Sequence, residues 1–160
     1  MPGWTHVDAR PGPHVDYVAD VLDLPFDGSS AEMIYWCHGI EHIPFALVQP
    51  ALVEWRRVLQ PGGILRLSTP DFNLLSAMYS QTKVELRLIR YAIMGGQDYE
   101  ENFHYSLWDF ASLSAELQRA GYANVRRYDA KAVVPAGFDW SVMRIAGQWI
   151  SLNVEAEAQK

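Results

Sequence analysis

A chain of 160 residues, 49% of them hydrophobic, is long enough to bury roughly 70% of the surface its unfolded form exposes, and one domain over 1–160 is expected. Its net charge of −6, from 13 basic against 19 acidic residues, offers no clustered basic surface for nucleic acid or an acidic membrane. The lone cysteine, Cys37, excludes an intramolecular disulfide, and without an N-terminal apolar stretch of signal or spanning length the expected location is the cytoplasm.

Residues 4–8 read as a short strand, and Pro11-Gly12-Pro13 turns the chain into a second run at 14–20. Each run ends in an aspartate, Asp8 and Asp20. In a parallel α/β sheet, ligands lie beyond the carboxyl ends of strands, so both carboxylates would face one crevice; the plainer alternative is that aspartate simply favours loops. Leu22 either walls that crevice or, with Leu24 and Phe26, pins a loop to the core. Asp27-Gly28-Ser29-Ser30 then makes a turn before an apolar strand at 33–37.

His38-Gly39-Ile40-Glu41-His42 spells H-x-x-E-H, the pattern of inverted zinc proteases. That chemistry needs both histidines on one face of a helix. Here a strand precedes, Gly39 interrupts and Pro44 follows, so no metal is expected. His38 and His42 instead fall just past the strand, at the mouth of the crevice, with a structural role open for at least one.

From Ala46 the apolar residues Leu47, Val48, Ala51, Leu52, Trp55, Val58 and Leu59 recur at helical spacing, with Glu54, Arg56 and Arg57 on the other face. Pro61 stops this helix, Gly62-Gly63 permits a tight turn, and 64–69 alternates as a strand up to Pro70. Strand, helix and strand imply a right-handed crossover between parallel neighbours. Residues 72–94 are helical with a break near 80–82, and 95–105 form a polar, aromatic loop containing Asn102 and His104. Gly95-Gly96-Gln97 matches a release-factor tripeptide, which an acidic chain gives no weight.

Ser106-Leu107-Trp108-Asp109 reads as a capping box for a helix that stops at Gly121. Strands are expected at 125–128 and 132–134, a loop that reaches over the pocket at 135–147, and a half-buried strand at 149–156, closing the sheet as an antiparallel hairpin. The six tryptophans are scattered and read mostly as core or pocket wall.

Leu24-Pro25-Phe26, Glu41-His42 and Arg57-Val58-Leu59-Gln60-Pro61-Gly62-Gly63, in this order, resemble the class I S-adenosylmethionine-dependent methyltransferases, in particular the type 11 group. Gly95-Gly96-Gln97, Asn102-Phe103-His104, Gly121-Tyr122 and Ser151-Leu152-Asn153-Val154 are similar to a small subgroup of that family. The resemblance implies a Rossmann-like methyltransferase fold, a mostly parallel sheet with a C-terminal antiparallel hairpin. It implies S-adenosylmethionine as cofactor, Asp8 on the ribose hydroxyls, Asp20 on the adenine amino group, Leu22 against the adenine, and His38 and His42 where sulfonium and acceptor meet. His104 is the candidate base and Asn102 a positioning group, acting on a small-molecule or saccharide-type acceptor. The family's glycine-rich first motif has no counterpart, so an N-terminally truncated form is expected, with a strand missing between 5–8 and 33–37. Unpaired edges there would favour a homo-oligomer, weak cofactor binding and little methyl transfer, or a non-catalytic binding or assembly domain.

Overall fold

The helical period after Pro44 and the Pro-Gly-Gly stop produce the expected unit: β3 (Ala31–Cys37), helix α1 (Phe45–Val58) and β4 (Leu59–Pro70), with β3 and β4 parallel. These and all later positions come from a computed structural model that describes residues 3–82, 84–133 and 139–159. Strand β4 starts earlier than its alternation indicated, because Leu59 already pairs with Ala31 before the register shifts and the main ladder resumes at Ile64 opposite Met33. Gly62 in this irregular stretch has φ +79, and a Cβ on Gly63 would lie 2.9 Å from the Gln60 carbonyl oxygen, so glycine is what lets the backbone double over.

Two further strands complete a four-stranded sheet in the order β3-β4-β8-β5, where β5 is Tyr122–Arg127 and β8 is Ser151–Ala158. Both β4–β8 and β5–β8 pairs are antiparallel. The register sorts the side chains by chemistry. Leu65 opposes Ala156, Leu67 opposes Val154 and Thr69 opposes Leu152, while on alternate positions Arg66 opposes Glu155 and Ser68 opposes Asn153. Leu65, Leu67, Leu152 and Val154 join Leu52 and Trp55 of α1 and Leu113 and Leu117 of α4 (Phe110–Arg119) in one core. The polar pairs line the opposite face, where Arg66 Nε donates to Glu155 at 2.9 Å and Ser68 Oγ to Asn153 at 2.6 Å.

Helices α2 (Phe72–Thr82) and α3 (Leu86–Met94) form a smaller core around Leu75, Met78, Ile89 and Ile150. The break expected near 80–82 is where α2 ends. Among the described residues no helix is long and apolar enough to cross a membrane.

Several expectations need correction. The first two strands shrink to β1 (Val7–Asp8) and β2 (Tyr17–Val18), which pair in parallel with each other and not with the main sheet. Asp109, not Ser106, caps α4, accepting from Ser112 N at 2.8 Å. Ser106 is buried and serves the indole of Trp108, whose Nε1 donates to its Oγ at 2.9 Å; burying that ring demands a partner for its N–H. Residues Ala130–Val133 form a short helix, α5, rather than a strand; Val134, and 135–138 of the expected loop, lie outside the described residues. Of the rest of that loop, Asp139 and Ser141 sit against the polar face of the sheet, where the Tyr35 hydroxyl bonds Asp139 and Asn153 Nδ2 donates to the Ser141 carbonyl at 3.0 Å. The last strand begins at Ser151 instead of Trp149, which belongs to a separate hairpin of β6 (Arg144–Ile145) and β7 (Gln148–Trp149). Among the tryptophans, Trp55 and Trp108 are core, Trp36 and Trp4 line a groove, and Trp140 is 59% exposed.

Candidate functional site

Among the described residues strand β3 pairs with β4 on one side only; on its other side, β1 and the segment around it face it across an open groove of about 1360 Å³. Val7, Asp8, Val21, Trp36, His38 and His42 are among the residues that line it. Trp36 stacks on Trp55 with ring centroids 4.4 Å apart, and the Trp55 Nε1 donates to the Val21 carbonyl at 2.9 Å, fixing the apolar wall to the core. A Cβ on Gly39 would lie 1.3 Å from Trp36 Nε1, so glycine at this position lets the indole lie across the backbone.

At the carboxyl end of β3 the chain bends sharply. His38 takes a left-handed φ of 50°, and Ile40–His42 forms a single 3-10 turn anchored by the fully buried Ile40. The zinc-protease helix is thus absent here: a turn, not a helix, carries Glu41 and His42. The loop after α3 folds onto this turn. Tyr105 N donates to the Glu41 carbonyl at 2.8 Å, and Ser106 Oγ to the Ile40 carbonyl at 3.2 Å. Gly95, φ +76, permits the approach, since a Cβ there would sit 2.4 Å from the Asn102 carbonyl oxygen.

This docking brings together residues about sixty positions apart. The rings of His42 and His104 meet edge to face, with centroids 4.6 Å apart. His42 Nδ1 lies 3.1 Å from the Phe103 carbonyl and His104 Nδ1 3.0 Å from the Ala92 carbonyl. A carbonyl only accepts, so each Nδ1 carries a proton, and in the neutral ring Nε2 then has the lone pair. Glu41 beside them is 1% exposed, and neither carboxylate oxygen has a hydrogen-bond partner among the described residues. His38 Nδ1 approaches Oε1 to 3.1 Å, an ion-pair distance without hydrogen-bond alignment, while its Nε2 lies 2.9 Å from Ser151 Oγ. Burial pushes the His104 imidazole down from its ordinary value, with His42 and His38 adding to this and Glu41 and the Ala92 carbonyl opposing it.

Of the residues singled out in the sequence, Asp8, His38 and His42 line the groove, and His104 meets His42 behind it. Asp20 and Leu22 are not in its lining: Asp20 is exposed and accepts from Leu22 N at 2.9 Å, and Leu22 packs against the main core. Asn102 does not meet His104 through its side chain; its amide donates to Asp98 and its carbonyl accepts from Gln97 N at 2.9 Å, shaping the glycine loop. Glu41 was legible only as part of a Glu-His pair. Its burial without a partner follows from the loop that covers it, and no sequence signal links that loop to the turn.

The model of a methyltransferase domain matches residues 5–67. A demethylmenaquinone methyltransferase of Clavibacter sepedonicus is 33% identical over 132 residues, covering 76% of this chain and 52% of that protein. The corresponding enzyme of Staphylococcus aureus (strain JH9) is 29% identical over 67% of this chain and 46% of its own length. These likenesses support a class I S-adenosylmethionine-dependent methyltransferase family for the chain. It spans about half the length of the curated relatives it matches. The fold agrees with solved methyltransferases: a Burkholderia thailandensis 1,6-didemethyltoxoflavin-N1-methyltransferase superposes with a TM-score of 0.60 over 98% of this chain and 61% of that one, at 13% identity. Human N-acetylserotonin methyltransferase gives 0.58 over 94% and 36%, at 10% identity.

The groove residues fit one end of the methyltransferase cofactor. Val7, Val21 and Trp36 supply an apolar wall for a nucleoside base, and the Asp8 carboxylate, of which Oδ1 accepts from Arg10 N at 2.8 Å, has further acceptor capacity for ribose hydroxyls.

Proposed function

We propose that this chain carries the adenosine-binding and acceptor-side portions of a methyltransferase acting on a small-molecule or saccharide-type acceptor. The observation that carries this reading is the groove at the carboxyl end of β3, with Asp8 on one wall and His38 and His42 on the other. S-adenosylmethionine supplies an electrophilic methyl group when bound. The chain's part is to align an acceptor and, where the nucleophile keeps its proton, to remove it. His104 is the base in this reading, because its Nδ1 is held on the Ala92 carbonyl and its Nε2 lone pair remains available. Asn102 holds the loop that presents it.

Calorimetry with adenosine, S-adenosylhomocysteine and methionine tests the assignment. Adenosine and S-adenosylhomocysteine should compete for one site, and Asp8→Asn should weaken both about 10-fold or more, the worth of one hydrogen bond to a charged group. Methionine binding with no response to adenosine would refute it.

A second reading rests on the edge of β3 that no described strand pairs. Such an edge is a template for another strand, so a second copy pairing there would make a homo-oligomeric assembly domain. Sedimentation showing only monomer at micromolar concentration would remove it.

A further inference from the structure

We propose that Glu41, His42 and His104 form a binding site for a divalent first-row transition-metal ion, with one coordination position open toward the groove. Three independent features converge. One ligand atom from each residue lies within 4.8 Å of the other two. Both imidazoles have Nδ1 engaged by a main-chain carbonyl, the arrangement that fixes the tautomer and orients Nε2 in metal-ligating histidines. Glu41 presents a carboxylate that is 1% exposed, with no hydrogen-bond partner on either oxygen among the described residues and the His38 ring at ion-pair distance from one of them, and a buried carboxylate is costly unless it is fully paired or bound to a cation.

Ligand atoms around a tetrahedral zinc lie about 3.3 Å apart, so the three residues need to close by no more than about 1.5 Å. Two imidazole nitrogens and one carboxylate oxygen suit zinc, cobalt, iron or nickel. Magnesium and calcium prefer oxygen ligands and are disfavoured. His38, 3.1 Å from Glu41 Oε1 and held by Ser151, positions the carboxylate. His42 lines the groove, which gives the ion a route in and a fourth ligand from whatever occupies that space.

The proposal does not rest on the methyl-transfer reading, because metal binding is measured without cofactor or acceptor. It does constrain that reading. An ion on His104 Nε2 takes the lone pair a base would use, so the loaded chain lacks its base at His104.

Titrating chelator-treated protein with cobalt(II) tests the site. The expected result is one equivalent bound with intense visible bands of a low-coordinate site. Glu41→Gln and His104→Ala should each weaken binding at least about 10-fold, and His14→Ala, at an exposed histidine outside the cluster, should leave it unchanged. Should either cluster variant lose its native circular dichroism, nitrogen-15 spectra of the wild-type imidazoles with zinc replace it, and the Nε2 signals of His42 and His104 should move together. The proposal is overturned by absence of stoichiometric cobalt binding, by binding that survives both cluster substitutions, or by zinc shifts confined to other histidines.

Discussion

The four-stranded sheet and the β1–β2 ladder are made of similar residues yet held very differently. Strands β4 and β8 bury Leu65, Leu67, Leu152 and Val154 against α1 and α4, each at most 1% exposed. Across the groove, Tyr17 and Val18 of β2 are 47% and 58% exposed, and the ladder consists of two residue pairs. Backbone pairing contributes little net stability because water competes for the same groups; the apolar face that a strand buries decides whether it persists. The ladder therefore depends on a few ties to the sheet side, chiefly Trp55 to the Val21 carbonyl and Arg57 to the carbonyls of Leu24 and Phe26.

Removing the central tie should give the largest effect. Trp55→Ala is expected to lower the unfolding free energy by about 3–5 kcal/mol, since a fully buried ring leaves a cavity and the Trp36 stack collapses. Tyr17→Ala across the groove loses only an edge contact with Phe26 and should cost about 0.5–1.5 kcal/mol. Urea titrations of both variants measure the contrast; equal losses would show that the two regions share one core.

Next comes the loop that closes on the Glu41 turn. Gly95→Ala places a methyl group against main chain at a left-handed φ, with an expected cost of up to about 3 kcal/mol and displacement of His104 from His42. A wild-type urea midpoint together with unchanged His104 imidazole shifts would contradict this.

On the polar face, burial pushes the Glu155 carboxyl up, but Arg66 and Arg126 outweigh this and hold it below the ordinary carboxylate value. Such a depressed group adds stability above its unfolded pKa and loses it as pH falls through the folded one. Glu155→Gln should therefore cost roughly 1.5 kcal/mol at pH 7, with the gap closing below about pH 4. Parallel denaturation curves at both pH values check the sign.

The smallest change is expected from Arg57→Ala, about 1 kcal/mol or less, because its side chain is 42% exposed. Its signature is local: hydrogen exchange at Leu24, whose amide donates to Glu54 at 2.8 Å, should speed up while the amides of β4 and β8 keep their protection.

The sequence by itself determined the helix that starts past Pro44, the parallel pair around it, the halves of the 72–94 helix and the alternating final strand. Each of these is encoded by neighbours within one or two turns, where side-chain period and the geometry of proline and glycine act directly. Tertiary structure decided the rest. The helix ends at Val58, ahead of the stop expected at Pro61, because Leu59 already pairs with Ala31. The short runs at 4–8 and 14–20 shrink to two residues each because β1 and β2 bury no continuous apolar face. Ser106 leaves its cap to serve a buried indole, because only packing makes Trp108 need a partner. Glu41, His42 and His104 become one cluster because Gly95 lets a distant loop reach the turn after β3, and contacts across about sixty residues leave no mark in local periodicity.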